Sequence, residues 1–287
     1  MSDVTSIGDG LDPGRGKAGA DAHAPERSYP RFMTHVLPVA ITGVLALFGA
    51  AILLARWQGF DRMGLIGVDL EIYLGYAKRF VDTGSMYAAN QLTGPYPGQP
   101  YVSGPIPADM PCLYPPTTMY LFAPFLVLPS IAWWAVPLGV VGYVLHRLRP
   151  ARWTWPLIVL PLVTPDFTAG IVTGNTLMWL VAAVAGGLVW GWPALLVLIK
   201  PFLAPFALIG ARKRAWWIGI VLTVALSVPL VGDWIAYPAV IANARDIVYV
   251  PFGYVPMLLV PVVAWIGRNG RIPGMRVIRS DVEAGRP

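Results

Sequence analysis

The stretch from His35 to Trp57 is predominantly apolar and long enough to cross a hydrocarbon core of roughly 30 Å as a helix. Its length exceeds that of a signal peptide's apolar region, and no small-residue cleavage pattern follows it, so it reads as a retained span rather than a removed leader. Nothing constrains the fold more, because backbone amides in lipid must be satisfied inside the segment that carries them. The rest of the chain agrees. Hydrophobic residues make up 56% and charged residues 13% of the 287, with mean hydropathy +0.60, a balance that a water-soluble domain does not keep. The net charge of +6 comes from short basic clusters between apolar runs, which reads as membrane topology and not as a nucleic-acid footprint. Cys112 is the single cysteine, so no disulfide closes within the chain.

Residues 1–34 carry few large apolar side chains and are expected to form a disordered cytoplasmic tail. A membrane domain is expected over 35–267, with external loops at about 58–114 and 232–252, and a second cytoplasmic tail over 268–287. In the first loop, Leu70, Tyr73, Leu74, Ala77, Phe80 and Val81 recur at helical spacing, Glu71, Lys78, Arg79 and Asp82 fall off that stripe, and Gly84 can end the helix. This predicts an amphipathic helix lying on the membrane face. The proline- and tyrosine-rich stretch after it reads as an ordered loop over a site. Thr117 to Leu128, bounded by prolines, is too short to span alone and reads as a half-helix.

Basic residues then set the parity of the crossings. Ile131–Leu145 leads to Arg147, Arg149 and Arg152, which the positive-inside rule puts in the cytoplasm. Trp155–Ile171 goes out and Thr176–Trp190 returns. Ala194–Gly210 must then start and finish inside, because Arg212, Lys213 and Arg214 follow it, and Lys200-Pro201 breaks it in the middle. A shallow hairpin with Lys200 near its apex is therefore predicted. Trp216–Val231 goes out and Gly253–Ile266 comes back to Arg268, which leaves both termini cytoplasmic. The fold class is all-α, a polytopic bundle with a large first external loop carrying an interfacial helix.

The residues with chemistry collect toward the outside. Asp69 begins the amphipathic helix where a carboxylate can face both lipid and water; it suits an N-cap and a general base alike, and the two roles are compatible. Glu71 reads as a solvated charge. Lys200 is costly at membrane depth and so a functional candidate, although a long side chain can snorkel. Asn175 after Gly174 fits a ligand contact or a helix cap. Asp166 would need a partner that the sequence does not name. Tyr73 and Tyr114 can stack on sugars, as they can sit in an interfacial aromatic belt. His23, His35 and His146 are scattered, with no metal-ligand spacing, and no phosphate-binding glycine loop or nucleophile elbow is present.

The stretches VDLEIYLGYAKRFVDTGSMY (68–87), LYPPTTMYLFAPFLVLP (113–129), TGNTLMWL (173–180), LIKPFLAPFALIGARKRAWW (198–217) and DWIAYPAVIANA (233–244) follow one another in an order that resembles glycosyltransferase family 87 of the GT-C superfamily. That family uses polyprenyl-phosphate sugars and includes mycobacterial mannosyltransferases. The resemblance implies a module of about seven membrane helices, a site on the extracytoplasmic face, and an aspartate in the first external loop acting as general base, which falls on Asp69. Family members tend to carry Gly-Gln before the asparagine, where this chain has Gly174-Asn175, and they usually continue for further spans.

The expected activity is transfer of a sugar, mannose first among the candidates, from a polyprenyl-phosphate donor to a lipid or glycan acceptor, with inversion, at the plasma membrane. No tightly bound cofactor and no nucleic-acid partner are expected. Lys200, with Arg245 as a second candidate, would stabilise the leaving lipid phosphate. Two other readings stay open: a transporter or flippase for a lipid-linked or polar solute, and a non-catalytic membrane partner.

Overall fold

The computed structural model describes residues 36–93, 111–244 and 251–269. Every regular element among them is a helix, α or 3-10. The first, α1 (Leu37–Arg62), runs past the apolar limit at Trp57 and buries only Gly49. A side chain there would strike Leu162, so the absence of one lets α1 cross residues 160–163 in direct contact. The rest of its surface, including Val44, Leu47, Phe48 and Leu54, is exposed and apolar, which suits lipid and not water.

The amphipathic helix forms, but its buried face is turned from the expected stripe: Tyr76 joins it, Leu74 and Phe80 are half-buried, and Val81 is exposed. In α2 (Val68–Thr83) the residues Leu70, Tyr73, Tyr76 and Ala77 are buried, and Gly84, in the left-handed region at φ 80°, closes the helix by donating its N–H to the Phe80 carbonyl at 2.8 Å. Lys78 pairs with Asp82 on the solvated side, and Arg79 donates to the Met86 carbonyl. A short α3 (Ala89–Thr93) follows. The half-helix is a 3-10 turn at Pro116–Thr118, α4 (Met119–Phe122) and a second 3-10 turn at Ala123–Leu126, the last two packed under α2.

From there α5 (Ala132–Leu148) leads away from α2. The return is not one helix: α6 (Trp155–Val159) and its 3-10 extension to Val163 meet α7 (Pro165–Thr173) at a bend of 67°. Pro165 lacks the N–H that would continue the first helix, and Thr164 before it is extended. Beyond Gly174, α8 (Leu177–Trp190) is the most enclosed element, buried along most of its length.

The hairpin is present. Gly191, at φ 94°, turns the chain into a 3-10 run at Trp192–Ile199, which lies so close to α8 that Gly186 and Gly187 face Pro193 and Ala194 with no room for a side chain. Lys200 is extended and breaks the run; Pro201–Leu203, α9 (Ala204–Ala207) and Leu208–Gly210 bring it back. Gly210 ends against the Gly191 carbonyl, and Lys213 Nζ donates to the free carbonyls of Leu188, at 2.7 Å, and Val189 at the end of α8. Both legs thus begin and finish at one end of the bundle.

The last elements are α10 (Arg214–Ser227), α11 (Val231–Asn243) and α12 (Val255–Ile266). Residues 232–243, expected as loop, are helical, and α10 and α11 together make one helix of 30 residues. The glycine and aspartate that interrupt the apolar pattern at Gly232 and Asp233 do not interrupt the backbone. Two helices, Leu37–Arg62 and Arg214–Asn243, are long and apolar enough to cross a membrane, or three if the bent pair counts as one span.

Candidate functional site

Two glycines bring the start of α2 against the end of α7. Gly67, at φ 74°, donates its N–H to the Val172 carbonyl at 3.0 Å; Gly174, at φ 77°, packs where a side chain would meet Trp134 and Leu70 at 3.1 and 3.2 Å. Adjacent indoles fasten the helix end: Trp133 donates to the Gly174 carbonyl and Trp134 to the Ile171 carbonyl, each at 2.7 Å.

This junction fixes Asp69. Its Oδ2 accepts from the Thr173 hydroxyl and from the Asn175 amide, both at 2.8 Å. Asp69 is therefore not the N-cap of α2, a position that Gly67 holds; it stands one residue inside the helix and uses its carboxylate across the junction. Asn175 uses both ends of its amide, since Oδ1 accepts the Leu177 N–H at 3.1 Å at the start of α8. It orients Asp69 and caps α8, rather than offering a free group to a ligand. Glu71 is exposed, as a solvated charge should be.

One turn along α2, Tyr73 is buried, stacked on Phe122 at 4.8 Å between ring centres. Its hydroxyl accepts from Tyr114 at 3.1 Å, and the Tyr114 hydroxyl also lies 3.3 Å from Thr176 Oγ1. Burial pushes the Tyr73 hydroxyl well above the ordinary tyrosine range, with Tyr114 and the Asp69 charge adding to it. Burial likewise raises Tyr114, offset in part by its bonds to Thr176 and Tyr73. Both are neutral hydrogen-bonding groups at neutral pH.

Lys200, only 3% exposed, comes to this group from the hairpin apex. Its Nζ lies 3.9 Å from the ring centre of Tyr254 and 5.8 Å from that of Tyr114. Sequence reasoning gave no role to Tyr254, which precedes an apolar run and looks like an ordinary interfacial aromatic. Thr173 and Thr176 lay inside a quoted motif without roles of their own. Exposed Asp166 lies beside Gly253.

Other residues turn out structural. Asp233 is buried and accepts from Ser85 Oγ at 2.6 Å and the Met86 N–H at 3.3 Å, while Asn243 donates to the Gln91 carbonyl at 2.8 Å. These bonds clasp α11 to the segment after α2. Arg245 lies outside the described residues. Asp69, Tyr73, Tyr114, Asn175 and Lys200, chosen from four separate stretches, thus converge. The chain matches no protein-family model, no curated protein and no solved structure. What the site can do therefore rests on its chemistry.

Proposed function

We propose that the chain is a membrane glycosyltransferase of GT-C type, moving a sugar, mannose first among the candidates, from a polyprenyl phosphate to an acceptor hydroxyl. One observation carries the reading. Asp69 has one oxygen, Oδ2, held by two donors, which leaves Oδ1 to receive a proton, and Lys200 at the hairpin apex lies 5.8 Å from the ring of Tyr114, whose hydroxyl bonds Tyr73 one turn along α2 from Asp69. The acceptor oxygen attacks the anomeric carbon opposite the phosphate, and its proton passes to Asp69 Oδ1. The bond from the anomeric carbon to the phosphate oxygen breaks, its electrons stay with the phosphate, and Lys200 offsets the charge that remains there. Configuration inverts, and the anionic phosphate leaves without a general acid.

In this reading the protein is multi-pass in the plasma membrane, with the basic end of the bundle and both termini cytoplasmic and Asp69 facing the other side. The decisive assay is sugar transfer by the reconstituted protein, offered prenyl-phosphate mannose, glucose and arabinose. Asp69→Asn should lower turnover by about 10²- to 10⁴-fold while the fold is kept, the range of a general base. Full activity in that variant removes Asp69 from the chemistry. The proline-broken hairpin and the 67° bend also suit a transporter. That reading is favoured if lipid-linked sugar crosses the bilayer of reconstituted vesicles while none is transferred.

A further inference from the structure

The end of the bundle opposite Asp69 carries a second feature, independent of the transferase reading. Arg147, Arg149, Arg152, Arg212, Lys213 and Arg214 gather there, and the residues 143–155, 188–193, 208–217 and 263–269 that build it contain no carboxylate. These segments do share one end: Tyr143 stacks on Trp190 at 5.6 Å, the Ala151 N–H donates to the Gly267 carbonyl, and Lys213 closes on α8. Trp153, Trp155, Trp190, Trp192, Trp217 and Trp265 lie in the same segments, the indole enrichment that marks a membrane–water boundary.

Between the end of α5 and the start of α6 is an open cleft of about 470 Å³ lined by Gly142, Leu145, His146, Arg149, Pro150 and Trp155. Arg149 stands at its mouth with φ 46°, alone among the described non-glycine residues in the left-handed region. Glycine or asparagine ordinarily closes a helix this way. Here the backbone accepts strain and an arginine lines the cleft together with a histidine and the apolar Leu145 and Trp155.

We propose that this cleft binds the headgroup of an anionic phospholipid from the adjoining leaflet. The Arg149 guanidinium and the His146 ring meet the phosphate diester, and an acyl chain follows Leu145 and Gly142 along α5. The apolar wall and the indole boundary favour a lipid over a free ion, and the lack of carboxylates in those described segments favours an anionic lipid over a zwitterionic one.

The test places the full chain in phosphatidylcholine vesicles containing spin-labelled phosphatidylglycerol or spin-labelled phosphatidylcholine, and reads the motionally restricted fraction of each. Wild type should hold phosphatidylglycerol in preference. Arg149→Gly, which suits the backbone and removes the charge, should lower that preference roughly fivefold, the scale of one basic residue near an anionic surface, and Arg149→Lys should keep most of it. Helical content measured by circular dichroism should be the same in all three. An equal preference in wild type and Arg149→Gly, or none in wild type, overturns the proposal. So does calorimetric binding of inorganic phosphate to the detergent-solubilised protein that depends on Arg149 without any lipid preference.

Discussion

At the scale of single residues, Asp69 shows how a side chain's role depends on what the fold brings to it. Its position before a helical stripe made a cap the natural local reading, and an aspartate at the head of a helix does gain from the helix dipole. Its partners, Thr173 and Asn175, lie on α7 and beyond it, and no local pattern connects them to α2. They can be told from mere packing. Thr173→Val keeps the shape and removes one donor, so the carboxylate can rotate about its remaining bond to Asn175. Stability should fall by about 1 kcal/mol, the usual size of one hydrogen bond. If Asp69 is the base, turnover should fall on the order of tenfold with KM nearly unchanged, since orientation and not binding is lost. A purely structural Thr173 would lower the unfolding midpoint and leave turnover alone. Steady-state kinetics beside a denaturation curve separates the two.

At the scale of elements, the helix Arg214–Asn243 explains itself by length. Its 30 residues rise about 45 Å, against a hydrocarbon core of roughly 30 Å. An upright crossing would leave about ten residues clear of the hydrocarbon, and near one end Asp233 and Asn243 hold the segment after α2 while Tyr237 donates to the Leu113 carbonyl. The apolar pattern stops at Val231; the helix does not, which is why a loop was expected from Gly232. Cys112 reports on this clasp. It is fully buried, its carbonyl accepts from Gln91, whose own carbonyl is held by Asn243, and burial pushes its thiol above the ordinary cysteine range. Maleimide labelling of the native protein should be slow. Asp233→Ala strips two bonds from the segment, a loss of about 1–3 kcal/mol, and should speed labelling of Cys112, whereas Lys78→Ala on the solvated face of α2 should not. Equal rates in the two variants would mean that the clasp does not govern access to Cys112.

At the scale of the molecule, the sequence was most legible where charge imposed a rule. Basic clusters before and after Ala194–Gly210 required an even number of passages, and the contact of Gly191 with Gly210 satisfies that requirement. Where only apolar length was available it was less legible, because α8 and α12, with 14 and 12 residues, are shorter than a straight span and take their place from packing. The hairpin matters to the site, since it is the route by which a lysine between apolar, proline-broken legs comes close to Tyr114 and Tyr254. In a Cys112→Ser background, single cysteines replacing Trp192 and Arg212 should therefore react with an impermeant thiol reagent from the same side of the membrane. Glu71→Cys, exposed on α2, should react from the opposite side. If positions 192 and 212 label from opposite faces, the segment is a transmembrane crossing. Lys200 would then sit at mid-span, and its placement beside Tyr114, on which the transferase proposal depends, would go with it.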